Sequence, residues 1–509
     1  MQNYKKLIGP ISIISLAYLM SRIFGFVREI LLANWTGISN ASDTLDLAFV
    51  IPDFLFYLSA GGYLAITLIP LLSRFEKEDD DKLNSYFLSL LNGLTVIFLS
   101  ISILGFIFRY EIADIFGVVN QDLFVKVFTP IIFSQVFFFS GAIMMAYQYF
   151  KNEFKYAAIA PVIYNLSIIL FGWIYSSTPE ATVYGFALGG LIGSFLGHIV
   201  IQLIGLRSVG LSYKFIKPKA MFLSQYFKVS LPLIVGQSIA VMDEQLFRIF
   251  GSFLSIGAIA SFRYARRIAI LPVGVLAQAV GVASFPTLSN LFVNKKFEEL
   301  RELIRRQVSI LFFLNVAIVL FFFFGSDEIV SIVYERGAFT SNDVQRVSSI
   351  MSVVSFAILP WSINQIVTRS FYVQSKYWYP VLIGTSATVL STLLVLSSTN
   401  KSESNYAVLI VIPLFLYSMV LLFTLKIENE KILNRDLAID LSISTLIGSV
   451  VFTFIRFLSV SGNSNIMNLL IYLTIIALAF IVSLNVIKMK YIKVRNCLLY
   501  TSDAADEPL

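Results

Sequence analysis

The sequence contains very little cysteine, histidine or charge. Cys497 and His198 are the only residues of their types among 509. A disulfide framework needs several cysteines, and a zinc site of the cysteine and histidine type needs several such ligands, so both are excluded. Only 14% of the residues are charged, against about 25% in soluble domains. A chain this poor in charge cannot cover a surface that faces water.

Long apolar runs take the place of the missing charge. Hydrophobic residues make up 57% of the chain, and its mean hydropathy is +0.80. Runs of about 20 apolar residues recur throughout, which is the length a helix needs to cross a bilayer. The pattern predicts an all-α polytopic membrane protein of about fourteen transmembrane helices. Two spans, 43–73 and 256–291, exceed one crossing and contain Pro52 and Pro272, which predict kinks.

The basic residues predict an orientation. They concentrate in alternate loops, as the positive-inside rule requires of cytoplasmic loops, and this places both termini in the cytoplasm. The net charge of +7 therefore reflects topology, and no nucleic-acid partner is expected. The intervening loops carry only five basic residues: Arg109, Lys126, Arg336, Arg346 and Lys401.

A weak internal duplication predicts how the helices are grouped. Pro52 and Pro272 lie 220 residues apart, and Pro161 and Pro380 lie 219 apart. This favours two parallel six-helix lobes around a central cavity, plus two C-terminal helices, although chance recurrence of proline is the alternative. The predicted parts are an N-terminal lobe at 1–206, a cytoplasmic linker at 207–224, a C-terminal lobe at 225–425, helices 13 and 14 at 426–490, and a segment at 497–509 that resembles a translated sequencing adapter.

Charges inside apolar spans are the candidate functional groups, because a charge in the bilayer normally faces a bundle interior or a wet cavity. Arginine offers a planar fork of donors that suits a diphosphate. The structural alternative is that these arginines snorkel or pair with acids, which we favour for Arg263 and Arg456, while Arg369 is undecided. The candidates are Arg22, Arg28 and Glu29 on the first helix and Arg266 and Arg267 on the eighth.

Two acids, a run of spaced glycines and the single histidine are the other notable features of the apolar spans. Asp243 and Glu244 are candidates for coupling to a monovalent cation, and the membrane potential is the other candidate driving force. No metal or organic cofactor is expected. Four glycines at four-residue spacing, from Gly185 to Gly197, predict a close helix–helix contact. His198 is interpreted as a packed polar residue.

Several segments resemble the MurJ (MviN) family of lipid II flippases, within the superfamily that also holds MATE exporters and polysaccharide flippases. The resemblance covers residues from about 10 to 425. Its carriers are Ser21–Glu29 (SRIFGFVRE), Ala48–Asp53 (AFVIPD), Pro70–Ser73 (PLLS), Tyr264–Arg267 (YARR) with Leu271-Pro272 and Pro286–Ser289 (PTLS), Tyr334–Thr340 (YERGAFT) and Arg369–Tyr372 (RSFY).

The resemblance implies a fourteen-helix flippase with a central cationic cavity. It implies alternating-access transport of an undecaprenyl-diphosphate-linked peptidoglycan precursor, lipid II, and no enzymatic activity. By motif match, Arg22, Arg28 and Arg267 take the positions of the family's cavity arginines. Glu29 takes that of an adjacent acid, and Asp43 that of an acid at the start of the second helix. The implied partners are a lipid-linked anionic glycan and the bilayer, with the chain as a monomer.

One segment departs from the family pattern. Phe56, Tyr57 and Gly61 stand where the family usually has charged residues. This keeps another polyprenyl-diphosphate-linked oligosaccharide open as the substrate. A MATE-like cation-coupled exporter, a polyprenyl glycosyltransferase and a transport-inactive scaffold are further alternatives. The arginines argue against the exporter, and the short loops argue against the enzyme.

Overall fold

The computed structural model describes residues 2–59, 68–69, 71–73, 80–240, 242–458 and 465–487. These residues are almost entirely helical. In the first half the helices are α1 (Gln2–Thr36), α2 (Asn40–Ala48), α3 (Val50–Ser59), α4 (Asp80–Ile107), α5 (Arg109–Ile115), α6 (Gln121–Phe150), α7 (Lys155–Ile174), α8 (Pro179–Ser194), α9 (Ile201–Ser208), α10 (Ala220–Ala240) and α11 (Met242–Gly251).

The second half continues in the same way. Its helices are α12 (Ala258–Ala269), α13 (Gln278–Val293), α14 (Phe297–Phe324), α15 (Ser326–Tyr334), α16 (Ser341–Val354), α17 (Ile358–Val373), α18 (Trp378–Ser397), α19 (Glu403–Thr424), α20 (Arg435–Leu458) and α21 (Asn465–Ile487). The described residues also include one antiparallel hairpin, β1 (Lys426–Ile427) with β2 (Glu430–Lys431).

Ten helical stretches in the described part of the chain are long and apolar enough to cross a membrane. They run from 20 to 33 residues, and about 20 suffice for one crossing. The predicted all-α polytopic membrane class is confirmed. The count of fourteen stays a prediction.

The chain divides into two compact units. The first holds Met1–Ala265, Val333–Ile350 and Gly384–Ile410, and the second holds Arg266–Ile332, Met351–Ile383 and Val411–Leu509. The predicted lobes at 1–206 and 225–425 were defined by the sequence repeat, whereas these units are defined by spatial proximity. The lobes therefore stay a prediction.

Regular α-helix is interrupted near both prolines at which kinks are predicted. α2 ends at Ala48 and α3 begins at Val50, so the helix breaks just before Pro52. α12 ends at Ala269, and a π-helical turn, Val273–Ala277, directly follows Pro272. Proline lacks the N–H that would bond the carbonyl four residues earlier, which explains a break at each place.

The predicted glycine face is a close helix–helix contact. Cβ atoms added to Gly185, Gly189, Gly193 or Gly197 would lie within 2.6–2.8 Å of α7 atoms. Hydrogen in place of a side chain therefore lets α7 and α8 approach with their backbones. His198 follows this face, is buried and packs against the ring of Phe138 at 4.5 Å between centroids, as its interpretation as a packed residue requires.

Two adjacent glycines give a matched test of this contact. We expect Gly189→Ala to destabilise the protein by about 1–3 kcal/mol, because the new methyl group overpacks the contact. Its Cβ would lie 2.7 Å from Ile168 Cα and from the Ser167 carbonyl oxygen, and backbone cannot rotate away. Gly190→Ala is the control, since its nearest neighbour is the Tyr164 hydroxyl at 3.7 Å. Thermal unfolding of the purified variants in detergent measures both, and equal midpoints would contradict the expectation.

Candidate functional site

Three charged side chains from three helices of the first unit meet in a buried ion cluster. Arg263 on α12 places Nη1 2.5 Å from Glu29 Oε2 on α1 and Nε 2.7 Å from Asp46 Oδ2 on α2. The side chains of Glu29, Asp46 and Arg263 are 5%, 6% and 13% exposed. One guanidinium therefore holds two carboxylates away from water.

The cluster depends on all three members. Moving an isolated charge out of water costs several kcal/mol, and attraction between opposite charges offsets this cost only with close, directional contacts. Without Arg263, Glu29 and Asp46 would each lose a guanidinium partner in a buried place. The Arg263 guanidinium also lies 4.2 Å from the centroid of the Tyr264 ring, which adds a cation–π contact on its face.

Arg28 adds a second guanidinium to the cluster. Its Nη2 lies 3.1 Å from Glu29 Oε1, and its Nη1 donates to Asn165 Oδ1 on α7 at 3.2 Å. The side chain of Arg28 keeps 21% exposure, more than the side chains of Glu29, Asp46 or Arg263. Arg28 and Arg263 thus hold opposite oxygens of the same carboxylate, and only Arg28 retains a substantial exposed surface.

Asn165 fixes the position of Arg28. Its Nδ2 donates to the carbonyl oxygens of Pro161 at 3.0 Å and Ser21 at 3.3 Å. These two bonds orient the carboxamide so that its oxygen faces Arg28. Asn165 is a positioning residue in the middle of a transmembrane helix, where an unsatisfied amide would be costly.

Asp43 holds the start of α12. Its carboxylate accepts from the Gly257 N–H at 2.5 Å and from the Ala260 N–H at 2.9 Å. A carboxylate at a helix N-terminus satisfies unpaired N–H groups and favours the positive end of the helix dipole. Gly257 has φ +87°, a conformation that glycine adopts without strain.

The pairing between α2 and α12 can be compared with the predicted internal duplication. Asp43 and Ala260 are 217 residues apart, as are Asp46 and Arg263, close to the 220 and 219 residues that separate the paired prolines. In an assembly of two equivalent parts, a residue contacts its own counterpart only near the axis that relates them. The predicted grouping would place equivalent helices of the two repeats in contact at the ion cluster, and it stays a prediction.

Removing the Asp43 carboxylate tests its contact with the start of α12. We expect Asp43→Ala to lower stability by about 2–3 kcal/mol, because two buried N–H groups lose a charged acceptor. Asp122→Ala is a matched control, since Asp122 also lies in the first turn of a helix, α6, but is exposed. Unfolding midpoints of the two purified variants should differ clearly, and a fall shared by both would contradict the role assigned to Asp43.

The predicted candidates of the first unit are partly brought together. Arg28 and Glu29 are in direct contact, and Asp43 lies three residues from Asp46 on α2. Arg22 is exposed on α1 and has no side-chain partner among the described residues.

The remaining candidates lie elsewhere. In the second unit Arg266 stands 5.1 Å from the centroid of the Trp361 ring, and Arg267 is partly buried. The backbones of Asp243 and Glu244 belong to α11, and their side chains are outside what the structure describes. Within the described ranges, no three histidine, cysteine or acidic side chains converge as a metal site would require.

Two members of the site were not among the predicted site residues, and a third was interpreted as structural. Asp46 and Asn165 were missed, while Arg263 is paired with acids, as its structural interpretation states. A signal for Asp46 was available, because a second acid three residues after Asp43 in an apolar span is as costly as any membrane arginine.

A second polar contact in the first unit joins loops that the charge pattern places outside the cell. Arg346 on α16 pairs with Glu403 at the start of α19 and donates through Nη2 to Ser255 Oγ at 2.8 Å. Ser255 in turn lies 2.9 Å from Glu403 Oε1. We call Arg346, Glu403 and Ser255 the outer polar contact.

Known proteins resemble this chain over most of its length. The family model described as lipid II flippase MurJ matches residues 32–478. A probable lipid II flippase MurJ of Buchnera aphidicola subsp. Baizongia pistaciae is 26% identical over 396 residues, which are 75% of this chain and 76% of that protein. The Aquifex aeolicus relative of the same description is 28% identical over 379 residues, covering 72% of each chain.

Solved structures share the fold. A lipid II flippase MurJ in an inward closed conformation matches with a TM-score of 0.80 at 23% identity, covering 94% of this chain and 99% of that one. An inward-facing multidrug resistance MATE family transporter of the MOP superfamily matches with a TM-score of 0.67 at 12% identity, covering 84% and 95%. At 23% and 12% identity the structural likeness shows the fold alone. The family model covers well over half of the sequence, and it shows the family. The chain belongs to the lipid II flippase MurJ family.

Proposed function

We propose that this chain carries lipid II from the cytoplasmic to the outer leaflet of a bacterial inner membrane, with both termini in the cytoplasm. The family match over residues 32–478 carries the proposal. Relatives described as probable lipid II flippases align over about three quarters of their own length. The activity is transport, with no covalent chemistry on the chain.

The chemistry of Arg28 supports this substrate. A diphosphate needs donors that stay charged, and the guanidinium of arginine matches phosphate oxygens with two parallel N–H groups. Arg28 is partly exposed and is held from behind by Glu29 and Asn165. An incoming diphosphate would compete with Glu29 for Arg28, while Arg263 keeps Glu29 paired. Arg22 on the same helix is proposed as a further cationic contact, and Arg266 and Arg267 are proposed as separate substrate contacts in the second unit.

Alternating access supplies the movement in this proposal. Exposure of the headgroup outside would require the outer polar contact to break, because it joins loops assigned to that side. The lipid tail would stay in the bilayer. The driving force would be the membrane potential, worth about 2.3 kcal/mol per charge and 100 mV, or a monovalent cation bound through Asp243 or Glu244. The chain is proposed to act as a monomer without a cofactor.

Complementation tests the substrate. The full chain is expressed in a bacterium whose own lipid II flippase is depleted, and growth is followed together with the amount of the chain in the membrane. Rescue of growth is the expected result. Full expression without rescue, combined with no movement of labelled lipid II in vesicles that contain the purified chain, would overturn the proposal.

Another polyprenyl-diphosphate-linked oligosaccharide is the second candidate. It is favoured by Phe56, Tyr57 and Gly61 at positions where the family usually has charges. The side chains of Phe56 and Tyr57 and the whole of Gly61 lie outside the described residues. In the same vesicles, faster movement of a shorter lipid-linked glycan than of lipid II would favour this second candidate.

A further inference from the structure

A basic groove lies in the second unit, whereas the ion cluster belongs to the first. Its volume is about 410 Å³, within the roughly 300–1,000 Å³ typical of small-ligand sites. Three of its seven lining residues are lysines, three are aromatic and none is acidic. The lining residues are Phe371, Lys376, Tyr379, Phe423, Thr424, Lys426 and Lys431.

Two of the lysines face each other across the hairpin. Lys426 on β1 and Lys431 on β2 are direct cross-strand partners. Like charges in this position destabilise a sheet, and a two-residue ladder contributes little to offset that. An anion bound between them would relieve the repulsion.

The hairpin is nevertheless held firmly in place. Two arginines of α14 bind its backbone, since Arg301 donates to the Ile427 carbonyl at 3.1 Å and Arg305 donates to the Ile432 carbonyl at 2.9 Å. Arg305 also donates to the carbonyl of Lys431 at 3.0 Å. These arginines thus fix two lysines at a spacing that the lysines themselves disfavour.

The third lysine comes from a different connection. Lys376 lies between α17 and α18 and donates through Nζ to the amide oxygen of Gln374 at 2.9 Å. Among the described residues, no salt bridge joins Lys376, Lys426 or Lys431 to a carboxylate. The nearby acid Glu430 pairs instead with Arg301 at 3.2 Å. The groove therefore keeps its positive charge.

Aromatic side chains place the groove at the depth of lipid headgroups. Tyr377, Trp378, Tyr379 and Phe423 are all exposed around it. Tyrosine and tryptophan concentrate where hydrocarbon meets water, with the ring in lipid and the polar edge in the headgroup layer. The loops that carry the three lysines are also assigned to the cytoplasmic side by the charge pattern.

We propose that this groove binds the phosphate headgroup of an anionic phospholipid of the cytoplasmic leaflet. The lysines would contact the phosphate oxygens, and the exposed aromatic rings would contact the glycerol and upper acyl chains. Basic pockets at the membrane face recognise lipid phosphates in this way. The site is distinct from the buried ion cluster and does not depend on the transported substrate.

Lipid titration of the purified full chain tests the proposal. Dioctanoyl phosphatidylglycerol in detergent is expected to raise the unfolding midpoint in a saturable manner, because a ligand that binds only the folded state stabilises it. Dioctanoyl phosphatidylcholine and inorganic phosphate should leave the midpoint unchanged. Each lysine beside an anionic headgroup strengthens binding by about fivefold. Lys426→Gln with Lys431→Gln should therefore weaken binding by about thirty-fold.

The controls distinguish a lipid headgroup site from a site that takes any anion or any lipid. Lys214→Gln removes an exposed lysine from another loop of the same predicted side, and it should bind phosphatidylglycerol as the parent does. Equal shifts with both lipids, an equal shift with inorganic phosphate, or unchanged binding in the double variant would each overturn the proposal. If the double variant does not fold, Lys376→Gln alone should still weaken binding about fivefold, and no change there would overturn it as well.

Discussion

Replacing Arg28 with alanine is expected to abolish growth rescue while the protein still reaches the membrane in normal amount. Hydrogen bonds to charged groups contribute about 1.5–3 kcal/mol each, so losing the exposed guanidinium should slow lipid II movement at least about tenfold. Stability should change little, because Arg263 still pairs with Glu29 at 2.5 Å. The measurement is complementation together with the flipping rate in vesicles.

Two further variants show whether charge or position matters at Arg28. Arg28→Lys keeps the charge but loses the planar fork, so partial activity is expected. Arg207→Ala removes an exposed arginine at the end of α9 and should behave as the parent chain does. Wild-type transport in Arg28→Ala would show that the diphosphate is held elsewhere and would remove Arg28 from the site.

Local rules were enough to predict much of this fold. Continuous apolar runs predicted membrane helices, and the prolines at 52 and 272 predicted breaks that the structure contains. The spacing of the glycines from Gly185 to Gly197 predicted the contact of α8 with its neighbour. Each of these inferences uses residues within a single helical segment, so it does not depend on which distant segments come together.

The ion cluster could be predicted only in part, because its pairs join distant segments. Arg263 and Asp46 are 217 residues apart, and no local pattern shows which acid an arginine will meet. Glu29 was predicted as a site residue, whereas Asp46 on the next helix was missed. The separation of 217 residues is close to the offset of the predicted repeat, but such an offset does not by itself show which equivalent residues are in contact.

The same architecture serves more than one activity. Transporters described as MATE share the fold with TM-scores from 0.52 to 0.67 at 12–13% identity. The fold alone therefore does not distinguish a multidrug transporter from a lipid II flippase. The chemistry of the site has to make this distinction. Arg28, which is cationic and partly exposed, favours an anionic ligand over a cationic drug.

Replacing Arg263 with methionine should have the largest effect on stability. It would leave Glu29 and Asp46 buried without Arg263, and breaking a buried pair by removing one partner costs about 3–5 kcal/mol. We expect much less protein in the membrane and a strongly lowered unfolding midpoint in detergent. Arg207→Met, at an exposed position, should have neither effect.

The neutral form of the cluster separates stability from transport. In Arg263→Met combined with Glu29→Met and Asp46→Leu, apolar side chains of similar volume replace the three charges, so most of the lost stability should return, as such replacement of buried ion pairs often allows. Transport should not return, because Arg28 would lose the carboxylate that holds it at 3.1 Å. Recovery of both would mean that the cluster serves folding alone. Recovery of neither would mean that packing around Arg263, more than its charge, stabilises the contact between α1, α2 and α12.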